Sequence, residues 1–229
     1  MNQHSFQCVT RTAAAALLAL VAGSAAAFPA TEIGDAGQSL ADAQVISGSG
    51  PVESISGTLG SGTDVDLYKI HVADPTQFFV SAVSNPGIDG MLFLFDASGR
   101  GVVMRDDTAN VNANFGALTS AFVVTPGDYY LAISVFDITP SNVDGLLFPD
   151  TRLVDSGLEY GPTGPGGALP FSSWVAASGG SQPATGDYVL TLRGVSAVPE
   201  PGISMLLGVG LAGLMTSLRR RSPAGEKAA

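Results

Sequence analysis

Cysteine, tryptophan and histidine are almost missing from this chain. In 229 residues there is one cysteine (Cys8), one tryptophan (Trp174) and two histidines (His4 and His71). A lone cysteine forms no intrachain disulfide and no thiolate metal cage. Two histidines so far apart in sequence give no pair at metal-ligand spacing, and no GxSxG elbow, P-loop or kinase signature is present. Charge is also scarce: 13% of residues are charged, with 20 acidic against 10 basic. Amphipathic helices are missing too. Between residues 28 and 197 only 35–46 reads as helical, and it reads equally as a loop.

The shortage of basic residues excludes one class of partner. Arg11 belongs to the N-terminal leader described below. Arg219, Arg220, Arg221 and Lys227, with Glu226, belong to the C-terminal tail. Without them, nineteen acidic and five basic residues remain, a net charge near −14. Such a surface repels phosphate backbones, so nucleic acid is not expected as a partner. It suits divalent cations, or simply solubility outside a cell.

What the chain does have sits first at its ends. Arg11 precedes an Ala/Leu run over 13–22, which Gly23 and Ser24 break. Ala25, Ala26 and Ala27 then put small residues before Phe28. This is the pattern of a secretory signal peptide over 1–27, read by the secretion machinery and signal peptidase. The run is too short to span a bilayer comfortably. Cleavage after Ala27 would remove Cys8, leaving no thiol for a nucleophile, a disulfide or a metal site.

At the other end, Val198, Pro199, Glu200 and Pro201 are followed by an uncharged apolar run over 202–218, and then by Arg219, Arg220 and Arg221. Seventeen residues at about 1.5 Å each span roughly 25 Å, slightly short of a hydrocarbon core of about 30 Å. The arginines mark a stop-transfer end. Gly208, Gly210 and Gly213 weaken the run as a permanent anchor and, with their neighbours, spell GxGxxG. No βαβ unit surrounds that match, so it carries no dinucleotide reading. These residues resemble the PEP-CTERM sorting signal of exported bacterial proteins. The resemblance covers 198–221 and leaves 222–229 as a cytoplasmic tail. It implies processing by an exosortase-type membrane transpeptidase near Pro199, Glu200 and Pro201. It also implies a diderm bacterium that makes exopolysaccharide.

The middle of the chain reads as all-β. Gly and Pro punctuate short runs at 52–59, 66–72, 77–84, 91–95, 102–105, 118–125, 129–136 and 187–193. In the second run Tyr68, Ile70 and Val72 fall on one face, with Lys69 and His71 on the other. The continuous apolar run 91–95 predicts a strand buried on both sides. About eight strands at these spacings predict a β-sandwich over 28–197. Between 137 and 185 the pattern fails. This Gly/Pro/Ser-rich stretch is expected to be an excursion pinned by Phe148, Leu153, Phe171, Trp174 and Val175, with a mobile tip at 161–167. Asp64 to Tyr68, Asp89 to Asp96 with Ser98-Gly99, and Pro126 to Leu131 resemble the bacterial pre-peptidase C-terminal (PPC-like) domain. That resemblance implies a jelly-roll-like, non-catalytic module, in some members associated with calcium or with substrate surfaces.

Three kinds of site chemistry can be weighed. His71 is the one histidine left after leader removal, and it sits in a strand beside Lys69, where a surface role outweighs a catalytic one. For calcium, which wants six to eight oxygen ligands, the candidates are Asp64, Asp66, Asp106 and Asp107. Asp64 and Asp66 would point to one side of a strand. Asp106 and Asp107 open an oxygen-rich loop with Asn110, Asn112 and Asn114, and turn formation alone also explains such residues. Trp174 offers a ring for sugar stacking, or a hydrophobic pin for its loop. The expectation is a non-catalytic exported surface or matrix protein in an exopolysaccharide or biofilm setting, needing no cofactor unless calcium. A calcium- or glycan-binding module is the alternative, and an accessory domain of a secreted hydrolase a distant one.

Overall fold

Period-two patterning becomes strand structure along most of the chain. The computed structural model describes residues 25–84, 88–106, 116–154, 157–176 and 185–199. The strands among them are, in chain order, β1 Phe28–Thr31, β2 Gln44–Val45, β3 Val52–Leu59, β4 Val65–Val72, β5 Phe79–Ser84, β6 Gly90–Asp96, β7 Gly101–Arg105, β8 Ala117–Thr119, β9 Gly127–Val135, β10 Ile138–Asn142, β11 Gly145–Leu146, β12 Ser173–Ala176, β13 Gly186–Arg193 and β14 Val195–Ser196. Among the described residues helix is confined to two 3-10 turns, Pro75–Gln77 and Thr151–Leu153. Among the described residues no helix is long and apolar enough to cross a membrane. Residues 1–24 of the expected leader over 1–27, and the expected span over 202–218, lie outside them.

Three sheets form. The first runs β1-β3-β13-β5-β8, antiparallel except that β1 lies parallel to β3. The second runs β14-β4-β9-β6-β7. Strands β14 and β2 share the outer edge of β4, one pairing with Val72 and His71, the other with Tyr68 and Lys69. The third, β11-β10-β12, is built from the excursion.

Alternation decides which face each side chain takes. Ile55, Tyr188, Leu190 and Leu192 of the first sheet pack on Tyr68, Ile70, Leu92, Leu94, Leu131 and Ile133 of the second. The opposite face of the second sheet is apolar as well. Val65, Leu67, Met91, Phe93, Phe95 and Met104 point away from the first core and pack on Ile138, Leu147, Phe148 and Phe171 of the excursion. The second sheet is therefore covered on both sides, and β6 is buried from Gly90 to Phe95, as its unbroken apolar run predicts.

The structure departs from the sequence reading at several points. Of the two readings of residues 35–46 the loop is the one found, with no α-helix, and the departure is only the short strand β2 near its end. The run expected over 118–125 stops at Thr119, because the Glu159 carboxylate accepts from Thr119 N and Oγ1 and the chain then turns. The Gly/Pro tip was expected to be mobile, yet its backbone is bonded down: Gly164 N donates to Leu147 O and Gly166 N to Leu146 O. A side chain at Gly164 would collide with the carbonyls of Leu146 and Phe148, so that close approach requires glycine. The excursion begins at Asp137, whose φ of 74° turns the chain out of β9.

Candidate functional site

Asp66 is the residue on which the strongest local chemistry converges. It shares the inward face of β4 with Tyr68 and Ile70, and its side chain is fully buried. A carboxylate there must find partners or a counter-charge. Oδ2 accepts a bond from Tyr188 Oη at 2.6 Å, and Tyr188 Oη lies 2.6 Å from Tyr68 Oη. Tyr188 has one proton and spends it on Asp66, so Tyr68 must donate to Tyr188. The chain of donors thus ends on Asp66. Its other oxygen, Oδ1, has no hydrogen-bond partner.

Glu32 and Asp35 come from the segment after β1. One oxygen from each of Glu32, Asp35 and Asp66 lies within 4.8 Å of the others. Glu32 is fixed by accepting from Thr58 N at 2.7 Å and from Ala36 N at 3.2 Å. Asp35 accepts from Gly37 N at 2.8 Å. Gly57, opposite Tyr188 in the sheet, leaves the room: a side chain there would meet Tyr188 Oη and Glu32 Oε2.

The electrostatics follow from this placement. Burial pushes the Asp66 carboxyl up to about 7, against the pull of the Tyr188 hydrogen bond, and the charges of Glu32, Asp64 and Asp35 add to the rise. Burial likewise raises both phenols; for Tyr188 the nearby charge of Asp66 adds to it. Three carboxylates, one of them buried with a spare oxygen, are a donor set for a hard divalent cation or a trap for a proton.

The other sequence candidates fall elsewhere. Asp64 precedes β4 and does not join it; its oxygens accept from Gly60 N and Val65 N, closing the turn before the strand. Asp106 follows β7, three strands away from β4 in the same sheet. Asp106 is therefore not brought beside Asp66, and the i, i+2 relation of Asp64 to Asp66 fails because Asp64 lies outside the strand. Asp107, Asn110, Asn112 and Asn114 lie outside the described residues. Sequence reasoning missed Glu32 and Asp35, whose signal lay only in the fold, since β1 carries them across to β3.

His71 Nδ1 donates to Asp128 Oδ1 at 2.8 Å, and Lys69 Nζ lies 3.0 Å from Asp128 Oδ2. Burial would raise the Asp128 carboxyl, but the bonds and charges of His71 and Lys69 outweigh it and hold it below the usual value. This cross-strand trio sits on the outer face of the second sheet's edge. Trp174 is half-buried; its Nε1 donates to Gln38 O at 2.8 Å, and its ring meets Phe93 edge-on at 5.6 Å.

The C-terminal junction is also part of the fold. Ala197 is buried, and Val198 N donates to Ile46 O at 2.8 Å. Pro199 is the last described residue and is exposed; Glu200, Pro201, Arg219, Arg220 and Arg221 lie beyond it. Compared with known families, residues 197–221 match the PEP-CTERM protein-sorting motif. The chain therefore carries the signal of an exported protein that is anchored transiently at the membrane and sorted by an exosortase. No curated protein matches the chain.

Proposed function

We propose that this chain is the precursor of a non-catalytic cell-surface or matrix protein. Its body is a PPC-like β-sandwich, and its ends are a leader removed by signal peptidase and an anchor removed by the transpeptidase. Exopolysaccharide is the setting in which it works, as a structural or adhesive component of a biofilm. The observation that supports this most is a boundary: the last buried residue of the sandwich, Ala197, is the first residue of the matched motif. Body and sorting signal thus abut with no intervening domain. Mass spectrometry of the mature protein from the native host tests it. The expected C-terminus lies within 199–201 and the expected N-terminus at Phe28; a mature chain ending at Ala229 rules the reading out.

A second reading is carried by the Asp66 site. The sandwich binds a divalent cation through Glu32, Asp35 and Asp66, with water completing the shell, and the ion ties the segment after β1 to β4. The unpartnered Oδ1 of a fully buried carboxylate favours this reading. Calcium added to the chelated domain is expected to release or absorb heat and to raise its melting temperature, by about 2.7 kcal/mol of stability at a hundredfold excess over Kd. No heat and an unmoved melting temperature would dispose of it.

A further inference from the structure

The fold holds down the very residues that lead into the sorting signal. After Gly194 turns at φ 69°, Val195 and Ser196 pair with Val72 and His71 of β4. Ala197 N donates to Gly50 O at 3.1 Å, and Val198 N to Ile46 O at 2.8 Å. Val195 and Ala197 are 3% and 5% exposed and belong to the main core, as does Ile46. Ser47 faces Val198, and Pro51 faces Ser196, as bridged pairs. The turn over 46–51 therefore grips the chain to within one residue of Pro199.

The same turn receives the other end. Phe28 N donates to Pro51 O at 3.0 Å, and a side chain at Gly50 would strike Ala25 and the carbonyl of Ala26. The junctions with the leader and with the sorting signal thus leave the sandwich side by side.

We propose that residues 195–198 are a strap, held by the turn over 46–51, that must peel away before the transpeptidase can act. The folded sandwich then sets the rate of its own release. This rests on the processing reading above. Enzymes and domains that take an extended peptide draw on its main-chain donors and acceptors. Here the N–H groups of Ala197 and Val198 are already committed, and no slack separates them from Pro199. Peeling breaks these two bonds and the short pairing of β14 with β4, and it uncovers Val195 and Ala197, so it is a local opening, far easier than unfolding the domain. Where opening and closing are fast, cleavage follows the population of the open form.

A reversible lock on the strap tests this. Ser47 and Val198 are bridged neighbours, about 5 Å apart at Cα as adjacent strands are, within reach of a disulfide. The Ser47→Cys/Val198→Cys precursor is expressed in the native host, and processing of pulse-labelled chain is followed with and without reductant. The oxidised form is expected to accumulate uncut and the reduced form to be processed. Val195→Ser, which lies outside the matched motif, loosens the strap and is expected to be cut about tenfold faster. Cleavage of the oxidised form at the wild-type rate, or an unchanged rate for Val195→Ser, overturns the proposal. If the double variant loses its thermal transition, Val195→Ser decides alone. If the wild type itself is never cut, the processing reading fails, and the strap with it.

Discussion

Asp66→Asn is expected to stabilise the domain at pH 7.5 in chelator and to abolish any response to calcium. The wild-type carboxyl titrates at about 7 in the folded protein, against an ordinary value of 3.8. A carboxyl raised in this way contributes most stability below pH 3.8, where both states are protonated. That contribution is lost as pH rises through 7, because the unfolded chain ionises freely and the buried group does not. A shift of about three units corresponds to roughly 4 kcal/mol as a ceiling. Asparagine keeps an oxygen for Tyr188 and carries no charge towards Glu32, Asp35 or Asp64, so about 2 kcal/mol should be recovered at pH 7.5. At pH 4 the two proteins should differ little. Calcium would reverse the order by supplying the missing counter-charge to the wild type alone. Urea unfolding across pH 4–8, in chelator and in calcium, reads all of this. A wild type with flat stability over that range, and a weaker Asp66→Asn protein, would show that the site is neither a proton trap nor a cation site.

The sequence carries the strands more clearly than the site, for physical reasons. Within β4, Tyr68, Ile70 and Val72 are buried in the first core while Lys69 and His71 between them are only half-buried, so that stretch can be read from periodicity, whereas β3, whose buried residues are Val52, Ile55 and Leu59, is read from its bounding turns. β6 can be read because its apolar run has no polar face at all. β1 and β2 were hidden, since two to four residues of edge strand have too little pattern to count. β10 to β12 were hidden because their apolar partners are far away in sequence: Ile138, Phe148 and Phe171 have a face only once the outer side of β4, β6 and β9 exists to receive it. The acidic site fails the same test. Asp66 is visible as an acidic residue before an alternating run, but Glu32 lies thirty-odd residues earlier in an unpatterned stretch. Their meeting depends on the parallel pairing of β1 with β3 and on Gly57 making room for Tyr188. Charge spacing along one strand predicted Asp64 as the partner; turn chemistry claimed it instead.

The largest loss of stability should come from the second core, through Phe95→Ala. Phe95 is fully buried in β6 and stands at the centre of the aromatic cluster. Its ring centroid lies 4.6 Å from that of Phe171, 6.1 Å from Trp174, 6.2 Å from Phe148 and 6.4 Å from Phe93. Truncation leaves a cavity between the second sheet and the excursion, at a cost of about 3–5 kcal/mol. Because the excursion packs there mainly through these rings, the loss should be local before it is global. Limited proteolysis should then cut within 137–176 under conditions where the wild type resists. Trp174→Ala should follow the same course with a smaller effect, about 2 kcal/mol, since the ring is only half-buried and loses one hydrogen bond to Gln38 O. The pair of variants also decides what Trp174 is for. A pin loses stability in proportion to the contacts removed, and polysaccharide retention falls only as the fold does. A sugar platform does the reverse: Trp174→Ala would lose retention at unchanged stability, while Phe95→Ala would keep retention until the excursion detaches. The committed N–H of Trp174 and its edge-on contact with Phe93 favour the pin.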